Sequence, residues 1–230
     1  MKTVAIIGAM PEEVALIAKS LDGVKHNKTA SLDINVGTLT SKSGEPITVA
    51  ATVGGMGLVN AAATTQALVD AYHPDAVIFS GIAGSLNKSM HIDDIVLGGT
   101  LRYLDSDMRM IAQWKPETEE FHSDRHLLDV ADKALDEMGI HHMTGVIASG
   151  NNFIGTPEAA AVVAEKTHAD AVEMEGAAVA HVAARNDVPA LVIRALSDEA
   201  DTDYEQFKEF DISEYADTAA RLAVDIVTRL

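Results

Sequence analysis

The chain contains no cysteine. A disulfide framework and a thiolate-held metal are therefore excluded, and a reducing compartment fits the composition. Aromatic residues supply only 4% of 230 positions, against 47% apolar residues in which Ala, Val and Ile are prominent. Such a core suits helices packed on a sheet better than an aromatic-rich β-sandwich. Positive charge is also scarce: 17 Lys and Arg stand against 35 Asp and Glu, a formal net charge of −18. A chain of this sign repels phosphate backbones, and no dense cluster of Lys and Arg makes a local exception, so nucleic acid is not expected as a partner. No apolar run approaches membrane-spanning length. The opening "MKTVAIIGAMPEEV" has a short apolar run ended by Pro11 and two acids, without the longer stretch and small-residue cleavage site of a signal peptide. The expectation is a soluble, cytoplasmic protein with no membrane partner.

What the chain does have is an alternation of strand-like apolar runs with stretches of helical period. Strands are expected at 2–8, 46–53, 75–80, 93–101, 143–149, 170–174 and 188–196. Helices are expected at 11–21, 57–72, 124–138, 156–167, 176–186 and 213–229, several opened by N-terminal signals such as "TPEAAA" and "SDRHLL". The pattern predicts an α/β fold with a central mixed β-sheet flanked by α-helices. A length of 230 residues suits one domain over 1–230. No repeat, low-complexity tract or Gly/Ser linker divides it, and only 104–122 reads as a long irregular connection.

One stretch breaks the apolar logic. In "AVEMEGAAVAHVAA" (171–184), Glu173 and Glu175 interrupt an otherwise apolar run, although a buried ionised carboxylate is costly without partners. If 170–174 is a strand, both acids project on one side and Met174 on the other. They fall at a strand's C-terminal end, where open α/β sheets place ligands; equally, acids there favour the dipole of a helix opening at Gly176. Other predicted strand ends carry polar residues too. "IIGAMPEEV" delivers Glu12 and Glu13, "TVGGMGLVNAAA" delivers Gly54, Gly55 and Gly57, and "VIRALSDEAD" delivers Arg194, Ser197 and Asp198. Neither Gly-rich turn matches the spaced fingerprint of a dinucleotide or phosphate loop. So many interruptions at strand ends point to one shared pocket rather than to separate capping accidents.

In order and spacing, "IIGAMPEEV", "GGMG", "SGIAGS", "SGNNFI", "VEMEGAAVAHV" and "IRALSDEAD" resemble the 5′-methylthioadenosine/S-adenosylhomocysteine nucleosidases, within the wider nucleoside phosphorylase superfamily. The resemblance spans nearly the whole chain. It implies a nucleoside phosphorylase-like fold and hydrolysis of the N-glycosidic bond of a 5′-thio-substituted adenine nucleoside, with no cofactor and no metal. By the same resemblance Asp198 is the general acid at the purine N7, Glu175 holds the ribose hydroxyls, and Glu13 orients and deprotonates water. The dipole of its helix is expected to keep Glu13 ionised. Met174 lies along the sugar, Phe153 stacks on adenine, and Ile154 pairs with its edge through backbone groups. Ser197 and Arg194 support the acid. Met10, Met56, Ala83 and Glu173 complete the substrate-binding set; pairing with Arg194 or another donor explains Glu173 equally well. Phe207 or Phe210 is expected to close over the nucleoside.

The sequence departs from that family at Asn151, where an Asp is common, and over 104–122. In the family this second region helps form the 5′-substituent pocket across a homodimer interface, and Met108 and Ile111 are the candidates here; an exposed loop with incidental apolar residues is the alternative. His122 and His126 have i, i+4 spacing without the Glu of a metalloprotease motif, and "DEADTDYEQF" lacks the central Gly of a calcium loop. Two other functions share the pattern: a phosphorylase, which must bind phosphate where Glu13 stands, and a nucleosidase acting on 5′-deoxyadenosine or aminofutalosine.

Overall fold

Strands covered on both faces have no solvent side on which to place polar residues, so they read as unbroken apolar runs. Such runs form the middle of a ten-stranded sheet in the computed structural model, which describes residues 2–202, 204–209 and 211–230. The first half of the chain runs β1 (Lys2–Gly8), α1 (Pro11–Ser20), β2 (Asp22–Thr29), β3 (Leu32–Thr40), β4 (Pro46–Val53), α2 (Leu58–Tyr72), β5 (Ala76–Ser85) and β6 (Ile95–Tyr103). There follow α3 (Met108–Ile111), β7 (Phe121–His122), α4 (Arg125–Met138), β8 (His142–Ser149) and α5 (Pro157–Thr167). The chain ends with β9 (Ala171–Glu173), α6 (Gly176–Arg185), β10 (Ala190–Asp198), α7 (Tyr204–Glu209) and α8 (Ser213–Arg229).

The strand order is β10-β6-β8-β9-β5-β1-β4-β3-β2, with β7 on β6, and β10 returns to pair with β5. Five strands thus close into a ring while β1, β4, β3 and β2 form an open wing. The sheet is mixed: β1 runs parallel to β4 and β5, and β10 to β5, whereas β9 is antiparallel to β5 and β10 to β6. One face carries α1, α4 and α8, with Val14, Ile17, Leu135, Leu222 and Ile226 in its core; the other carries α2 and α6. Each fully buried Ile or Leu contributes about 1.5–3 kcal/mol through removal of apolar surface from water. The Ala-rich α6 lies so close to the sheet that a Cβ on Gly176 would come within 3.0 Å of Val192 Cγ1. Local signals fix several helix starts: Asp124 accepts from the Leu127 amide at α4, and Thr156 from the Ala159 amide at α5, caps worth about 1 kcal/mol each.

The α/β architecture and mixed sheet agree with expectation. Four local readings are corrected. Segment 22–45, given no element, holds the hairpin β2–β3; β2 buries none of its residues, so it carries no apolar alternation to read. β5 continues five residues past 80, through "SGIAGS", and β10 runs on to Asp198. β9 stops at Glu173, leaving Met174 and Glu175 outside the strand. The irregular 104–122 connection contains the short α3 and the two-residue β7. Phe210 lies outside the described residues. Among those residues no helix is long and apolar enough to cross a membrane.

Candidate active site

The long β5 is the floor of the site, and two of its glycines show what stands on it. A Cβ on Gly81 would come within 2.3 Å of Glu13 Oε1 and 2.5 Å of Arg194 Nη1. A Cβ on Gly84 would meet Asp198 Oδ1 at 3.0 Å. Three residues of strand separate the two positions by about 10 Å. Any side chain at Gly81 would displace a buried carboxylate and its guanidinium.

Over Gly81, three carboxylates surround one cation. Glu13, the third residue of α1, is 2% exposed. Its Oε2 accepts from the Ala9 amide (2.5 Å) and the Met10 amide (2.9 Å), and its Oε1 from the Ile82 amide (3.1 Å). It thus caps its own helix from inside the protein. Arg194, from β10, is buried; one of its terminal nitrogens bonds Glu173 and lies 3.7 Å from Glu175, and its guanidinium carbon sits 4.0 Å over the Phe79 ring. Glu173 also accepts from the Ser149 hydroxyl and from the amides of Glu175 (3.0 Å) and Gly176 (2.7 Å). Four donors occupy its two oxygens, which makes it the cap of α6 and the brace of Arg194. Glu175 instead receives the Gly57 amide at 2.7 Å. Gly57 adopts φ +97°, a region that favours glycine, and this aims its N–H across the site.

Three acids around one cation leave the group short of positive charge. Burial, followed by the neighbouring Glu173, pushes Glu175 up to about 8, against the pull of Arg194 and the Gly57 amide. Burial also raises Glu13 above the usual carboxylate range, opposed by Arg194 and three backbone amides. The expectation that the helix dipole keeps Glu13 ionised is corrected: desolvation raises its pKa despite the opposing donors.

Asp198 stands apart, half-buried at the end of β10. Burial raises its pKa; the Ser197 hydroxyl and the Ala200 amide, each donating at 2.8 Å, offset part of this, and Asp201 adds to it. Among the described residues no cation bonds it.

Both ends open into one cleft of about 610 Å³. Glu13, Glu175 and Asp198 line it with Met10, Met56, Ala83, Phe153, Ile154, Glu173, Met174, Ser197 and Phe207. Phe153 and Phe207 face each other with ring centroids 5.1 Å apart. Arg194 lies beneath the lining, in reach of the carboxylates but not of Asp198's bonds, so it braces the glutamates rather than the acid. The lining also includes Ala9, Ile82, Gly84, Val172 and Asn152, which the residue pattern did not single out; the first four are small or aliphatic and carry no chemical signal. Asn151 accepts from the Leu58 amide at 3.0 Å, beside the amide that Glu175 takes. Met108 and Ile111 do not line this chain's cleft; Met108 packs against the core of the α2–α6 face. Among the described residues no group of three His, Asp or Glu forms a metal cluster.

A cleft with a protonatable acid at one end and carboxylates able to hold hydroxyls and water at the other is built for cleaving a glycosidic bond to a basic leaving group. The fold and cleft place the protein in the phosphorylase superfamily, whose family profile matches residues 3–229. A 5′-methylthioadenosine/S-adenosylhomocysteine nucleosidase of Staphylococcus saprophyticus is 35% identical over 207 residues, 87% of this chain and 88% of that protein. The Neisseria meningitidis nucleosidase of the same name, solved with methylthio-immucillin-A, superposes with a TM-score of 0.90 at 32% identity, covering all of both chains. The futalosine hydrolase of Helicobacter pylori gives 0.86 at 30% identity, covering 100% of this chain and 98% of that one. The chain belongs to the 5′-methylthioadenosine/S-adenosylhomocysteine nucleosidase family.

Proposed function

We propose that the protein hydrolyses the N-glycosidic bond of 5′-methylthioadenosine and S-adenosylhomocysteine, releasing adenine and the 5′-thio-substituted ribose. The observation that carries this reading is the division of the cleft between Asp198, bonded by the Ser197 hydroxyl and the Ala200 amide, and an arginine-braced carboxylate cluster. Asp198, its proton held by burial, protonates N7 as the base departs, since adenine leaves poorly as an anion. The ribose acquires oxocarbenium character, and Glu175 holds its hydroxyls and favours the positive charge. Glu13 orients the attacking water and takes its proton. Phe153 stacks on adenine under Phe207, the backbone of Ile154 pairs with the adenine edge, and Met10, Met56, Ala83 and Met174 pack along the nucleoside. Glu173 and Arg194 hold Glu175 in place, and Ser197 orients Asp198.

The likeness to futalosine hydrolase supports a second reading, in which another adenine nucleoside such as 5′-deoxyadenosine or aminofutalosine is accepted in the same cleft. A phosphorylase is disfavoured because no Lys or Arg is among the described residues that line the cleft beside Glu13, which leaves no cation there to receive phosphate. We place the enzyme in the cytoplasm as a single catalytic domain that forms homodimers, with Met108 and Ile111 near the partner's site. The exposed apolar side chains of Val59 (78%), Met110 (62%) and Trp114 (73%) support such an interface. Product analysis with and without phosphate tests the reaction. Free adenine and free thio-ribose at a phosphate-independent rate are expected; a ribose 1-phosphate product would reassign the protein as a phosphorylase.

A further inference from the structure

Helix α6 carries Glu175 at its N-cap, and the strands beside it hold it at two levels. Its first turn is tied to the sheet by Glu173 and by the Ser149 hydroxyl, which accepts from the Ala177 amide at 2.8 Å. Tyr103 is the register partner of Ser149 on the neighbouring strand. Its phenol oxygen lies 3.0 Å from Nδ1 of His181, six residues into α6 from Glu175 and so about 9 Å along the axis. The Phe121 ring stacks on the same imidazole at 4.4 Å and meets the Tyr103 ring edge-on at 5.7 Å. Burial and the nearby Arg185 lower the His181 pKa, and burial raises that of Tyr103. A neutral imidazole and an intact phenol therefore share this hydrogen bond.

Most of the remaining α6 side chains are Ala or Val, and Ala177, Ala178, Val179, Ala180 and Ala183 form its buried face. Small knobs interlock weakly, so they resist rotation of a helix about its own axis poorly. A rotation of about 10° would carry a carboxylate some 6 Å from the axis through about 1 Å, and displacements of that size cost up to about a hundredfold in rate. We propose that Tyr103 and His181 are a positioning pair for the ribose-holding carboxylate: their hydrogen bond fixes the rotation of α6 and with it the direction in which Glu175 faces the cleft. Tyr103 is the last residue of β6 and Phe121 the first of β7, so the same cluster clamps both stems of the intervening loop onto α6. Lys115, inside that loop, pairs with Asp187 just beyond the helix at 2.6 Å.

The inference rests on the assignment of Glu175 to the ribose hydroxyls, and its test separates the two. The readout is the ratio of kcat/KM for 5′-methylthioadenosine to that for its 2′-deoxy counterpart. Tyr103→Phe should lower this ratio about three- to tenfold while the thermal midpoint stays near that of the wild type. His181→Leu should match it, and His181→Asn, which keeps a polar atom at the Nδ1 position, should restore most of the ratio. Ratios within about twofold of wild type in both Tyr103→Phe and His181→Leu would overturn the pair's role, whatever happens to stability. The Glu175→Ala control, which removes the carboxyl group altogether, should collapse the ratio; if it does not, the assignment of Glu175 fails and the positioning role falls with it.

Discussion

Glu13 and Asp198 are both short of water in one cleft, and both have raised pKa values, yet their surroundings suit them to opposite tasks. Glu13 shares Arg194 with two other carboxylates and receives three backbone amides, all of which favour its charged form. Asp198 receives one hydroxyl and one amide, with Asp201 nearby and no cation among the described residues bonded to it. Burial raises both, against more opposition at Glu13 than at Asp198. The proposed base and acid stand over Gly81 and Gly84, three residues apart on β5.

The sharpest way to break this contrast is at its acid end. Asp198→Asn keeps the shape and the hydrogen-bonding reach but cannot deliver a proton, so adenine release should fall by at least about a thousandfold. Turnover within about tenfold of wild type, followed spectroscopically, would remove Asp198 from that role. At the other end, Glu13→Gln should reduce kcat by about a hundredfold or more while leaving the affinity for a non-hydrolysable nucleoside analogue within about threefold. Calorimetric titration beside steady-state kinetics checks both halves. Unchanged binding and unchanged turnover would reduce Glu13 to the cap of α1.

The smallest effect concerns stability rather than rate. Glu175 has a pKa of about 8 in the folded protein against an ordinary 4.5, so between those values the folded state holds a proton that the unfolded chain has released. Stability therefore declines as pH rises from about 4.5 towards 8. Glu175→Gln mimics the protonated form. Its thermal midpoint should match wild type near pH 5 and exceed it by about 3 °C or more at pH 8. A variant less stable than wild type at pH 8 would mean that the Gly57 amide and Arg194 outweigh desolvation.

The placement of these acids was legible because a carboxylate in an apolar run is conspicuous whatever the fold. Glu13, Glu175 and Asp198 all reach one cleft, though only Asp198 ends a strand, Glu13 standing in the first turn of α1 and Glu175 just past β9. The job of Glu173 was legible in part: its pairing with Arg194 was among the expectations, but only the tertiary structure adds Ser149 and Gly176 to the same two oxygens. Gly81 was hidden within a motif whose strand was expected to stop a residue earlier. The hairpin β2–β3 escaped notice because the exposed, polar β2 has no apolar face. His181 read as one polar residue in an Ala-rich helix, since nothing along the chain links it to Tyr103, 78 residues away.

The start of α2 has a meaning for the order in which the chain assembles. Its Gly57 N-cap offers no side chain, and its first turn contains no acid. The amides of Gly57 and Leu58 are instead taken by Glu175 and Asn151, 118 and 93 residues further on. Contacts of such sequence separation form late, because a long loop must close before they return any free energy. The amino-terminal third can therefore collapse and pair β1 with β4, but α2 has no finished beginning until the α6 segment has docked. Because the Gly57 amide goes to Glu175, which lines the cleft, completion of this helix and completion of the cleft are a single late event.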